Sequence, residues 1–182
     1  DDGCDGSATL EVRIVANLRV TPSTAVIGPE TSFTLEAAGG SGSYSFALDL
    51  SGSGGSVDPM TGTYTAGPSE GRDIIALTDT ESGSTVRAIY DVQAGAGIRL
   101  AAARLALAPG STAEAPASGG TEYFSVTSSD SMIVNATGST LEAVAPGQVD
   151  VTVRDRFTGE SIVLPVTSMT PATLDMPERV GN

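Results

Sequence analysis

Apolar side chains recur at every second position over many short stretches of this chain. Leu10, Val12 and Ile14 are spaced in this way, as are Leu18 and Val20, Phe33 and Leu35, and Tyr44, Phe46 and Leu48. Ile75 and Leu77 follow, then Val86, Ala88, Tyr90 and Val92. The second half repeats the habit with Leu105 and Leu107, Phe124 and Val126, Val149, Val151 and Val153, and Ile162, Leu164 and Val166. A period of two sends successive side chains to opposite faces of an extended segment, so each run predicts a strand with one buried face. No window sustains a 3.6-residue period. Residues 96–108 have a helix-friendly composition, yet they read as a linker entering a strand. Turn signals such as Gly28-Pro29, Gly39-Gly40, Gly67-Pro68, Pro109-Gly110, Gly119-Gly120 and Pro146-Gly147 separate the runs. Short strands between frequent breakers are the rhythm of a sandwich, not of alternating strands and helices.

Matched features in the two halves indicate two copies of one unit. Asp79 begins an Asp-x-x-x-Gly pattern ending at Gly83, and Asp155 begins another ending at Gly159, 76 residues later. Thr63-Tyr64-Thr65-Ala66 matches Thr140-Leu141-Glu142-Ala143 at an offset of 77, and Gly39-Gly40 with Tyr44 and Phe46 matches Gly119-Gly120 with Tyr123 and Phe124 at 80. Nearer each start, Leu18 to Pro22 is matched to Leu105 to Pro109 at 87. The expected architecture is all-β: two tandem immunoglobulin-like β-sandwich domains. The expected boundaries are a leader with an extra strand over 1–16, domain 1 over 17–95, domain 2 over 96–168 and a tail over 169–182.

These residues resemble the bacterial Ig-like domains, chiefly the group 2 type that occurs in tandem in secreted and surface proteins. The resemblance is carried in the first copy by Leu18 to Ser23, Phe33-Thr34-Leu35, Gly39-Gly40, Tyr44-Ser45-Phe46, Gly62 to Gly67 and Asp79. In the second it is carried by Gly119-Gly120, Leu141-Glu142-Ala143, Ala145-Pro146-Gly147, Val149 to Val153 and Asp155. The first copy departs from the pattern at Asp73-Ile74-Ile75. The resemblance implies an extracytoplasmic location, secreted or at the cell surface, and a non-catalytic structural or interaction role as a spacer or adhesive segment. It implies a protein partner or self-association. Two further readings accompany it: a self-assembling surface fibre formed by β-strand addition, and a glycan- or calcium-binding adhesin domain.

Charge narrows the partners. Twenty-two acids stand against nine basic residues, for a formal net charge of −13. All nine basic residues are Arg. Such a field repels phosphate backbones, which argues against nucleic acid. No run of about 20 apolar residues is present, so no membrane-spanning helix is expected.

The residue inventory argues against an enzyme. With no His and no Lys, Ser-His-Asp and Cys-His catalysis, Schiff-base chemistry and the phosphate-loop lysine are excluded. The Gly-rich run Ser51 to Ser56 lacks the Gly-Lys that would make it a phosphate loop. Asp49 with Asp58, and Asp79 with Glu81, are the carboxylate pairs that folding can bring together. No cofactor is expected beyond calcium, whose candidate ligands are Asp79 and Glu81 at one hairpin and Asp1, Asp2 and Asp5 near the start. The lone cysteine, Cys4, has three open readings: an incidental thiol, an intermolecular disulfide, or a lipid anchor that the preceding Asp1-Asp2 disfavours.

Overall fold

The computed structural model describes residues 16–170, and all the regular structure among them is extended. The first half runs β1 (Arg19–Thr21), β2 (Thr24–Ile27), β3 (Ser32–Thr34), β4 (Glu36–Ala38), β5 (Tyr44–Ser51), β6 (Ser56–Val57), β7 (Thr63–Thr65), β8 (Gly71–Asp79) and β9 (Thr85–Val92). The second runs β10 (Arg99–Leu100), β11 (Leu105–Leu107), β12 (Thr112–Glu114), β13 (Ala117–Ser118), β14 (Phe124–Ser128), β15 (Val134–Thr137), β16 (Thr140–Ala143), β17 (Gly147–Asp155) and β18 (Ser161–Ser168).

The two halves have one topology. Each has a four-stranded sheet, β2-β9-β8-β5 or β11-β18-β17-β14, in which the first pair is parallel and the rest antiparallel. Each has a facing sheet, β3-β7-β6 or β12-β16-β15, extended by a short pair, β1-β4 or β10-β13. The chain is therefore two tandem immunoglobulin-like β-sandwiches, called domain 1 and domain 2 below. Leading strand pairs with the opposing sheet first and then crosses to run parallel to the last strand. Pro22 sits at that crossing in domain 1, where a residue without an N–H removes nothing from either ladder.

Alternation sorts the cores as the sequence predicts. Ile75 and Leu77 in β8 and Val151 and Val153 in β17 are buried on one face, as are Ala88, Tyr90 and Val92 in β9 and Leu164 and Val166 in β18. The cores differ in chemistry. In domain 1, Phe33, Tyr64 and Tyr90 form an aromatic cluster with ring centroids 5.0–5.7 Å apart. Strand register places Ala113, Leu141 and Val166 at the equivalent positions of domain 2, which is aliphatic.

Register also corrects two links of the repeat. Tyr44 pairs with Asp79 as Phe124 pairs with Asp155, so Tyr44 and Phe46 match Phe124 and Val126 instead of Tyr123 and Phe124. Arg19 pairs with Ala38 as Arg99 pairs with Ser118, and Ala25 pairs with Tyr90 as Leu105 pairs with Val166. The offset is thus 80 from the first strand onward, and Leu105 to Pro109 matches Ala25 to Pro29 instead of Leu18 to Pro22. The false match arose because both segments are short apolar alternations ending in Pro. Three residues are lost between β5 and β7, where the longer strand of domain 1 carries a bulge between Leu48 and Leu50.

At two equivalent positions one copy carries the physically better residue. The turn after β2 places Glu30 at φ 60°, where the turn after β11 has Gly110 at φ 83°. A Cβ in the left-handed region is strained, and Gly is not. Ser168 at the end of β18 is buried, and its hydroxyl has no partner among the described residues, where β9 has Val92. Glu30→Gly is expected to raise the stability of domain 1, and Ser168→Val that of domain 2, each by about 1 kcal/mol. Denaturant melts of the two variants check this; a loss of stability in either would remove the equivalence on which it rests.

Candidate functional site: carboxylate-pinned loops

The inward phase of β8 does not end in an aliphatic residue. Asp73, Ile75, Leu77 and Asp79 share one face, and both Asp residues are fully buried. Burying a carboxylate costs several kcal/mol unless donors replace its water shell. At the Asp79 end the donors come from two loops. Ser41 donates its backbone N–H and, at 2.7 Å, its hydroxyl. Glu81 and Ser82, in the hairpin between β8 and β9, donate their N–H groups at 3.0 and 3.1 Å. These four hydrogen bonds, the Ser41 N–H foremost, hold the Asp79 carboxyl well below the usual carboxylate range.

Domain 2 repeats the device. Asp155 ends the inward face of β17 after Val149, Val151 and Val153. Its carboxylate accepts from the Thr121 N–H (2.6 Å), the Thr121 hydroxyl (2.7 Å) and the Phe157 and Thr158 N–H groups (2.9 and 3.1 Å). The backbone of each hairpin closes identically, with Gly83 N–H donating to Asp79 O and Gly159 N–H to Asp155 O. The Gly-Gly pairs follow from the same contact. Gly40 and Gly120 have φ near 61°, and a Cβ on either would collide with the Asp carboxylate. A side chain there is excluded by backbone strain and by the anion together.

Asp73 pins a different loop. It accepts from the Ser53 N–H (2.8 Å), the Ser53 hydroxyl (2.5 Å) and the Tyr64 hydroxyl (2.7 Å), and the Ser53 oxygen accepts from Gly67 N–H in turn. Burial, reinforced by the hydrogen bond to Asp73, pushes the Tyr64 phenol well above its ordinary range. Burial does the same to Tyr90, whose hydroxyl donates to Pro22 O at 2.8 Å. The equivalents of Asp73 and Tyr64 in domain 2 are Val149 and Leu141, so the loop latch belongs to domain 1 alone. The departure at Asp73-Ile74-Ile75 is this latch. Its signal in the sequence was an acid in phase with Ile75 and Leu77.

Asp79 and Glu81 share a hairpin, but the Asp79 oxygens accept four hydrogen bonds and Glu81 accepts from the Ser43 hydroxyl at 3.2 Å. Asp49 and Asp58 serve separate tasks. Asp49 pairs with Arg87 at 2.6 Å on the surface, and Asp58 caps a turn through Met60 and Thr61 N–H groups, which lower its pKa. Among the described residues no group of three or more metal-binding side chains converges. Asp1, Asp2, Cys4 and Asp5 lie outside the described residues. The Gly-rich run Ser51 to Ser56 is the loop held by Asp73.

No family model matches the chain, and no curated protein matches it. Among solved structures, domains 4 and 5 of the S-layer protein SbsC align over 86% of this chain and 99% of that one, at 16% identity and a TM-score of 0.33. The C-terminal 282-residue fragment of intimin, in complex with the intimin-binding domain of Tir, aligns over 86% and 64% at 12% identity and 0.34. Human protocadherin-24 EC1-2 aligns over 88% and 100% at 8% identity and 0.36. The fold is given by the strand topology itself.

Two outcomes test the pinning. Asp155→Ala leaves four donors unpaired and is expected to destabilise domain 2 by about 3 kcal/mol in a denaturant melt; a change below about 0.5 kcal/mol would show the carboxylate to be dispensable. The lowered pKa of Asp79 fixes the sign of a pH effect. Its stabilisation is complete above the unfolded carboxylate value near 4 and is lost as pH falls below it. Wild-type domain 1 is therefore expected to lose stability below about pH 4 more steeply than Asp79→Asn, measured as Tm against pH. Parallel profiles would contradict it.

Proposed function

We propose that this chain is a non-catalytic structural and interaction segment of a bacterial protein that works outside the cytoplasm. It is a spacer or adhesive module built from two group 2-like bacterial Ig-like repeats. The observation that carries this reading is how the loops spend their polar groups. In this fold, loops at the ends of the sandwich commonly present binding or reacting side chains. Here the buried acids Asp73, Asp79 and Asp155 are committed to holding those loops on their own scaffold. A carboxylate saturated with structural donors is not free to act as acid, base or nucleophile. The chain contains no His and no Lys to take those roles. What remains is shape, an acidic composition and loops held on their own scaffold, which suit a part that positions other parts. A fibre subunit, or a calcium- or glycan-binding adhesin, draws no separate support from the described residues.

Protease shaving of intact cells of the source organism tests the location. An antibody against this segment is expected to lose its signal when the cells are treated with protease before lysis. Protection until lysis, with the segment in the cytosolic fraction, would overturn the reading.

A further inference from the structure

The two sandwiches touch through the β17–β18 hairpin and the loop before β14 of domain 2. Phe157 lies in the β17–β18 hairpin of domain 2, yet it packs against the hydrophobic cluster of domain 1. Its ring stands 6.3 Å from Phe33, edge to face, and Phe33 in turn packs on Tyr64 and Tyr90. Tyr123, in the loop before β14, sits edge-on to Phe157 at 5.4 Å. Beside them, Gly120 O accepts the Val26 N–H at 3.0 Å. Strand β2 is the edge of its sheet, and that amide points away from β9. Domain 2 thus meets an aromatic core position of domain 1 and, at the single residue Val26, its open edge strand, a place where an unpaired edge invites pairing with another chain.

The connecting segment is tied from both sides. Glu70 of domain 1 accepts the Ala94 N–H at 2.8 Å, and Glu160 of domain 2 accepts the Ile98 N–H at 3.1 Å. Ile98 is itself buried.

The corresponding end of domain 1 is chemically different. Strand register and the shared hairpin geometry place Glu81 where domain 2 has Phe157, and Ser43 where it has Tyr123. Ser43 and Glu81 hydrogen-bond to each other instead of presenting rings. The hairpin fold therefore does not require aromatic residues. Those of domain 2 answer to the domain they dock on.

We propose that Phe157 and Tyr123 form an interdomain key that locks the two sandwiches into one rigid body, and that this lock is specific to their junction. The key is a property of packing, so it holds or fails whether or not the chain serves at a cell surface.

The test is backbone ¹⁵N relaxation on the whole chain and on the double variant Phe157→Glu, Tyr123→Ser. That variant imports the residues domain 1 carries at the same positions, so its hairpin is compatible with them. In the wild type, the strands of both domains are expected to share one rotational correlation time. In the double variant, each domain is expected to keep its core chemical shifts but to report its own, shorter correlation time. Phe157→Leu, which keeps an apolar key, is expected to retain a shared value. Separate tumbling in the wild type would overturn the proposal. So would a shared correlation time in the double variant, because the linker ties would then suffice. If the double variant does not fold, Phe157→Ala, which removes the ring and keeps the backbone donor to Asp155, is read by the same criterion.

Discussion

A carboxylate buried at the end of an aliphatic strand face is the constraint around which both domains are arranged. An anion there is tolerable only when donors surround it, and the nearest donors are backbone N–H groups of the two flanking loops. Asp79 and Asp155 collect two N–H groups from their own hairpins and an N–H with a hydroxyl from the loop across the sheet. Satisfying the anion fixes both loops at once. It also dictates their sequence: Ser or Thr where a hydroxyl must follow the N–H, and Gly just before it, where a Cβ would meet the carboxylate. The shared loop geometry of the two copies follows from this one requirement, even though the cores beneath differ.

That difference shows how far a sandwich can drift while the anion stays. Phe33, Tyr64, Tyr90 and Asp73 of domain 1 become Ala113, Leu141, Val166 and Val149 in domain 2. The buried Asp73–Tyr64 hydrogen bond becomes an aliphatic contact. Losing both partners together avoids the unpaired group that losing one would leave. Where the match is incomplete, cost remains: Ser168 occupies the Val92 position with a hydroxyl that the described residues leave unpartnered.

Much of this was legible in the sequence, because the strand period, the Gly-Gly pairs and the Asp-x-x-x-Gly hairpins are local signals. Ile75 and Leu77, or Val151 and Val153, declare their face by spacing alone. The offset of the first strands was misread, since Leu18 to Pro22 and Leu105 to Pro109 look alike locally and only pairing partners tell the first strand from the second. Asp79 and Glu81 stand as calcium candidates in the sequence because acids clustered in a turn look alike whether they face solvent or accept backbone donors; which of the two Asp79 does shows only in its partners. Asp73 stood out as a departure, but Ser53 and Tyr64 are distant in sequence, so the latch they form with it was not visible. Phe157, in a polar hairpin, carries no periodic signal. Its purpose depends on a surface of the other domain, which no local pattern encodes.

Native-state hydrogen exchange at six loop amides tests the central role of the buried anions most directly. The N–H groups of Ser41, Glu81 and Ser82 around Asp79, and of Thr121, Phe157 and Thr158 around Asp155, lie outside regular strands. The account predicts that they exchange with protection comparable to the amides of β8 and β17, because they open only when the carboxylate is released. Exchange at the rates of ordinary exposed turns, while the strands stay protected, would contradict it.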